Sequence, residues 1–250
     1  MKALIRIPGY LLAAVRAILA FTSIFLFVGL YIITIPILGN TPVRAFRLRR
    51  SWIKWGMLLF GIKIKNIGNP IDGTALYVSN HLSFTDPIAT CLYLNAYVIA
   101  KAEVANIPFL SKGAELTGVI YVKRESKESR SNTRQALIDT LNSGKNILVY
   151  PEGTVSQDVT LLPYKTGAFK GAIANGYPVV PITIRYRDQK DIWNNTGIVA
   201  HFFKQLSHWR TVIIHEFGEP LTGDDGAAVA KMAYDWTLEK LETEWPSIVA

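Results

Sequence analysis

Residues Ile18 to Leu38 form an uncharged, predominantly apolar run of 21 residues, "ILAFTSIFLFVGLYIITIPIL". As a helix at about 1.5 Å per residue it would reach about 31 Å, close to the roughly 30 Å hydrocarbon core of a bilayer. A chain that carries such a run must bury it in a protein core or in a membrane. Charge separates the two cases. Residues 1–70 hold ten of the 27 Lys and Arg and no Asp or Glu, which leaves 17 basic against 19 acidic residues in the remainder. The formal net charge of +8 therefore lies wholly beside the apolar run. A nucleic-acid binder would place it on the soluble part, so nucleic acid is excluded as a partner and the lipid bilayer is expected instead.

Lys2 and Arg6 give the chain a basic start, as a cleaved signal peptide would have. The run is longer than a signal h-region, and no A-x-A-like site follows it, so an uncleaved anchor is expected. Arg44, Arg47, Arg49, Arg50 and Lys54 follow the run, against Lys2, Arg6 and Arg16 before it. That bias places the main domain on the cytoplasmic face of the inner membrane. Whether the anchor spans the bilayer or dips into one leaflet stays open. The next stretch, "TPVRAFRLRRSWIKWGMLLF", predicts a second helix with Ala45, Leu48, Trp52, Trp55 and Leu59 on one face. Arg44, Arg47, Arg49, Arg50, Trp52 and Trp55 are its candidate membrane-binding residues, suited to anionic phosphates and the interfacial layer. The competing reading is a helix packed on the domain.

Two regions follow: an anchor with its basic helix over residues 1–60, and one domain over residues 61–250. In the second, apolar strands near 62–66, 75–79, 97–100, 119–122, 146–150, 178–186 and 211–217 alternate with helical stretches such as "DPIATCLYLN" and "SNTRQALIDTLNSG". The pattern predicts an α/β fold, a central sheet flanked by helices and preceded by a membrane-associated helical pair. Ser131 is the expected start of one helix, with Gly144 and Gly176 just past helix ends. The single cysteine, Cys91, excludes an internal disulfide.

Chemistry concentrates in "VSNHLSFTDP", residues 78–87, where a strand runs into His81 and Asp86 precedes Pro87 at a helix start. In the bland reading Asp86 is an N-cap and His81 a loop residue. In the chemical reading the loop folds back so that the Asp86 carboxylate holds one imidazole nitrogen and leaves the other as a base for a hydroxyl proton. Ser83 lacks the glycine-flanked elbow of a nucleophile. His201, His208 and His215 show no ligand spacing, so no metal is expected.

Further blocks favour the chemical reading: "GVIYVKR" (118–124), "YPEGT" (150–154), "PYKTG" (163–167) and "VVPI" (179–182). With these the chain resembles the glycerolipid acyltransferase family over roughly residues 76–185. The resemblance implies His81 as the base on the acceptor hydroxyl, Asp86 as its orienting partner, and a backbone donor near the His81 loop for the oxyanion. It implies further that Asn80, Lys123, Arg124, Glu152, Gly153, Thr154 and Lys165 form the acceptor side, with Arg124 on an anionic headgroup. Val180 and Pro181 are implied to be structural and to line an acyl channel. The expected function is transfer of a fatty acyl group from a thioester donor, acyl-CoA or acyl carrier protein, to the free hydroxyl of a lysolipid, first of all 1-acyl-sn-glycerol-3-phosphate. No cofactor is required. Val155 stands where the family usually has Arg, which keeps two alternatives in play: a lyso-amino-acid lipid acceptor of the lyso-ornithine or glycine lipid type, and a non-catalytic lipid-binding relative.

Overall fold

All seven segments read as strands form one sheet. The computed structural model describes residues 6–102, 110–122, 126–194 and 197–243. The strands are β1 (Ile62–Ile67), β2 (Leu76–Ser79), β3 (Ala96–Lys101), β4 (Val119–Val122), β5 (Asn146–Val149), β6 (Val179–Tyr186) and β7 (Thr211–Phe217). Their order is β1-β7-β6-β2-β5-β3-β4. Every neighbouring pair is parallel except β6 with β7. β2 and β6 are buried along their whole length, which explains their near-continuous apolar sequence.

Helices cover both faces. The helices are α1 (Arg6–Leu38), α2 (Pro42–Phe60), α3 (Asp86–Tyr93), α4 (Leu110–Leu116), α5 (Lys127–Asn142), α6 (Gly167–Ala174), α7 (Ile198–Leu206) and α8 (Gly226–Glu242). Alternation along β2 divides the core. Tyr77 packs with Ile53 and Met57 of α2 and Ala89 of α3, whereas Leu76 and Val78 pack with Leu141 of α5, Phe169 of α6 and Val229 of α8. The expected helix start at Ser131 is corrected: α5 begins five residues earlier on N-cap Ser126, where a reciprocal bond pair with Ser129 satisfies the first turn. α7 was not among the expected helices.

α1 and α2 form an antiparallel hairpin laid against the domain. Ala13, Arg16, Ala17, Ala20 and Ser23 of α1 are buried. Arg16 Nη1 donates to the Leu206 and His208 carbonyls at 3.0 and 2.6 Å. Thr41 caps α2 and Pro42 opens it, while Gly61, at φ 66°, closes it where a Cβ would run into the Trp209 carbonyl.

The expected lipid-facing roles on α2 are revised. Its inner face is Ala45, Arg49, Ile53, Gly56 and Met57, rotated from the one periodicity suggested. Arg49 is buried. Its guanidinium donates to the Ala96 and Thr117 carbonyls at 2.9 Å each and to the Leu94 carbonyl at 3.2 Å. It pins α2 to the sheet instead of meeting headgroups. Arg44 bonds the Gly39 and Tyr31 carbonyls and Thr34 Oγ1, closing the end of α1. Arg50 reaches Asn95 Oδ1, and Trp52 Nε1 donates to Ser23 Oγ across the hairpin. Arg47 remains exposed and Trp55 half-buried.

Candidate active site

β2 ends at Ser79, and the next residue prolongs the sheet by side chain. Asn80 Nδ2 donates to the Ile184 carbonyl at 2.9 Å, and Ile184 N donates to Asn80 Oδ1 at 2.8 Å. Asn80 is thus a structural clamp on β6 that sets where His81 leaves the strand. It does not face an acceptor as the resemblance implied.

Asp86 does more than cap a helix. It occupies the first position of α3, with Thr85 as N-cap, and its side chain turns back into the loop. Oδ2 accepts from Leu82 N (2.7 Å), Ser83 N (2.8 Å) and the His81 ring at Nδ1 (2.8 Å). Oδ1 accepts from the Tyr186 hydroxyl at 2.6 Å. Four donors converge on a fully buried group, which an acceptor-only carboxylate satisfies. The proton on the imidazole is thereby held at Nδ1, and Nε2 keeps its lone pair. The His81 side chain retains 14% exposure, so that lone pair is reachable. The ring stacks on Tyr150 with centroids 4.1 Å apart and meets Phe84 edge-on.

Glu152 holds the same loop from the other side. Its Oε1 accepts from His81 N at 2.7 Å and its Oε2 from Leu162 N at 3.0 Å, while Ser156 N donates to the His81 carbonyl at 2.7 Å. Burial raises the Glu152 carboxyl from 4.5 to about 7, against the lowering effect of its two N–H donors. Glu152 therefore positions the His81 backbone.

Gly153 and Lys165 come together. Gly153 has φ 77°, and the Lys165 ammonium lies where its Cβ would be. Thr154 and Lys165 are both exposed at this rim, with Val155 half-buried beside them. Lys123 and Arg124 lie outside the described residues. Val180 belongs to the core, and neither it nor Pro181 lines either of the two apolar cavities beside the site. The larger cavity, about 260 Å³, runs under the His81 loop between Phe84, Pro87, Trp52, Val98 and Tyr121. The smaller, about 170 Å³, lies between α1, α2 and α7 and reaches Thr85.

Sequence reasoning missed Tyr186, Tyr150 and the residues behind the loop. Ser83 Oγ meets His201 Nε2 at 3.1 Å and accepts from Gln205 Nε2 at 3.0 Å, so Ser83 is engaged in structure. His201 is buried and its pKa falls to about 4 through desolvation, with Lys204 adding to the effect. His208 Nδ1 pairs with buried Asp191 at 2.5 Å, and His215 is buried against Asn66. No sequence signal near position 81 points to groups more than 100 residues away.

A buried carboxylate orienting a partly open imidazole, at the carboxyl end of a central strand and above an apolar cavity, is an arrangement able to serve as a general base toward an apolar substrate. The family described as Acyltransferase matches residues 61–185, and the chain belongs to it, within the glycerolipid acyltransferases. The chain is 27% identical over 161 residues to a lyso-ornithine lipid O-acyltransferase of Rhodobacter capsulatus, covering 60% of this chain and 58% of that protein. It is 32% identical over 150 residues to the 1-acyl-sn-glycerol-3-phosphate acyltransferase of Salmonella typhimurium, covering 56% of this chain and 61% of that one. It thus spans about three-fifths of the length of these curated relatives. The crystal structure of the 1-acyl-sn-glycerophosphate acyltransferase of Thermotoga maritima shares the fold, with a TM-score of 0.75 over 97% of this chain and 100% of that one, at 19% identity.

Proposed function

We propose that this chain is an O-acyltransferase that moves a fatty acyl group from a thioester to the free hydroxyl of a lysolipid at a membrane. The observation that carries this reading is the 2.8 Å contact between His81 Nδ1 and the buried Asp86 carboxylate. Nε2 of His81 takes the hydroxyl proton as the acceptor oxygen attacks the thioester carbonyl. The C–O bond forms, the C–S bond breaks, and the imidazolium returns its proton to the departing thiolate. Asp86 stabilises the imidazolium while it exists. The step balances with donor, acceptor and one imidazole, so no cofactor is called for. Acyl-CoA and acyl carrier protein both supply the required thioester.

The first-choice acceptor is 1-acyl-sn-glycerol-3-phosphate. Lys165, held over Gly153, supplies a cation beside Val155, where the family usually has Arg. The second reading, a lyso-ornithine lipid, is favoured by that Val155 and by a lyso-ornithine lipid O-acyltransferase of Pseudomonas aeruginosa, 29% identical over 202 residues and matched over 77% of each chain. Both acceptors carry long chains that are costly to extract into water, which suits an enzyme working at the bilayer.

The hairpin supports one-leaflet anchoring. α1 meets the domain from Ala13 as far as Val28, which lies against Gly113, so the part beyond is Gly29–Leu38, which at about 1.5 Å per residue is about half of a roughly 30 Å hydrocarbon core. The basic residues after α1 favour a domain on the cytoplasmic face.

The test is thiol release from palmitoyl-CoA by the purified chain in detergent, with the acylated product identified by mass spectrometry and both acceptors offered in parallel. The expected product is diacylglycerol phosphate. Product only from the lyso-ornithine lipid moves the assignment to the second reading, and thiol release without an acylated lipid overturns acyl transfer.

A further inference from the structure

α7 is the element that sequence reasoning passed over, and its two faces differ sharply. The inner face carries His201, Gln205 and Leu206, all buried. Gln205 accepts from Thr85 Oγ1 at 2.5 Å and donates to Ser83 Oγ at 3.0 Å, so this face is bonded directly to the loop that carries His81. The outer face presents Val199 at 69% exposure and Phe203 at 43%, and Trp209, just past the helix, is 76% exposed.

Four observations bear on what covers that face. α7 packs along α1, where Ala13, Ala17 and Leu206 form a small core with Phe60 and Phe202. Exposed Phe21 of α1 borders the same apolar groove as Val199 and Phe203, so the outer face of α7 continues the apolar surface of the anchor. The charge is one-sided: from Gly197 to Thr211 the chain has Lys204 and Arg210 and no Asp or Glu. Trp209 stands beside the end of α2, whose Leu58 is 84% exposed. Apolar side chains flanked by a tryptophan and cations match the interfacial layer of an anionic bilayer.

We infer that α7 and Trp209 are a second membrane-contacting element, which seats Val199, Phe203 and Trp209 among lipid headgroups and holds the catalytic loop at the leaflet from which the acceptor comes. This rests on the membrane reading of the anchor. The loop is one helix width from the lipid, through His201, Gln205 and Thr85, so an acceptor can present its hydroxyl to His81 with its chain still in the leaflet.

The experiment places an environment-sensitive fluorophore on a single cysteine in the full chain carrying Cys91→Ala. The labelled positions are Phe203→Cys and Trp209→Cys, with Ile33→Cys on α1 as the anchor reference and Asp224→Cys, exposed before α8, as the water reference. Each variant is reconstituted in vesicles of phosphatidylethanolamine and phosphatidylglycerol with and without brominated lipid. The expected result is a blue shift and bromolipid quenching at positions 203 and 209, as at 33 and unlike 224. Emission at 203 and 209 matching that at 224 while 33 is quenched overturns the inference and leaves the anchor standing. A blue shift without quenching shows a protein partner, such as a second copy, and overturns it too. Water-like emission at 33 as well removes the membrane reading itself.

Discussion

Replacing Asp86 with Asn separates the charge of the carboxylate from its shape. An amide oxygen at the Oδ2 position still accepts from Leu82 N, Ser83 N and His81 Nδ1, and the amide nitrogen at the Oδ1 position donates to the Tyr186 oxygen once that hydroxyl turns. The loop keeps its course. What disappears is one negative charge beside a ring that, in the proposed mechanism, becomes positive in the transition state. Two unit charges about 4 Å apart, at an effective dielectric of about 20, attract by about 4 kcal/mol. At about 1.4 kcal/mol per tenfold, the expected loss in kcat is about three powers of ten. Weaker hydrogen bonds to a neutral acceptor cost about 1–2 kcal/mol of stability, and at about 2–4 °C per kcal/mol the melting temperature falls by only a few degrees. The assay is steady-state thiol release with the acceptor saturating, beside thermal unfolding in the same detergent. His81→Ala should be at least as slow, and the double variant no slower than His81→Ala alone, because the two groups act as a unit. Asp86→Asn turning over within tenfold of the unaltered chain, with its fold intact, would refute the role assigned to the carboxylate.

Two further outcomes follow from the buried charges. Glu152 binds its proton up to about pH 7 in the folded chain and only to about 4.5 as an ordinary carboxyl. Its contribution to stability is therefore full below that lower value and falls as pH rises toward 7, by about 3 kcal/mol across the window. Glu152→Gln should flatten this fall in a series of melts between the two values; an unchanged slope would show that Glu152 is not its source. Arg49→Met strands the Leu94, Ala96 and Thr117 carbonyls without their shared donor, at a cost of about 2–5 kcal/mol. The expected drop in melting temperature is at least about 5 °C, and a melt indistinguishable from that of the unaltered chain would return Arg49 to the surface role its sequence position suggested.

The sequence by itself determined the parts whose cause is local. Each strand announces itself by a short apolar run, and β2 and β6 do so most strongly because both their faces are buried. The helix ends just before Gly144 and Gly176, and the loop that brings Asp86 back to His81, involve neighbours within a few residues. A spacing of five therefore suffices to propose the pair. The tertiary structure decided what sheet order brings together. Tyr186 reaches Asp86 because β6 lies beside β2, although 100 residues separate them. Arg49 looked like one more basic residue on an amphipathic helix, and only the packing of α2 over the start of β3 makes it a buried clamp. α7 carries no charge pattern or cap that marks it as part of the site; its His201 and Gln205 matter because the fold sets them behind the His81 loop. Periodicity and caps report forces acting over one or two turns, whereas these partners are chosen by the burial of whole elements against one another, which no local stretch encodes.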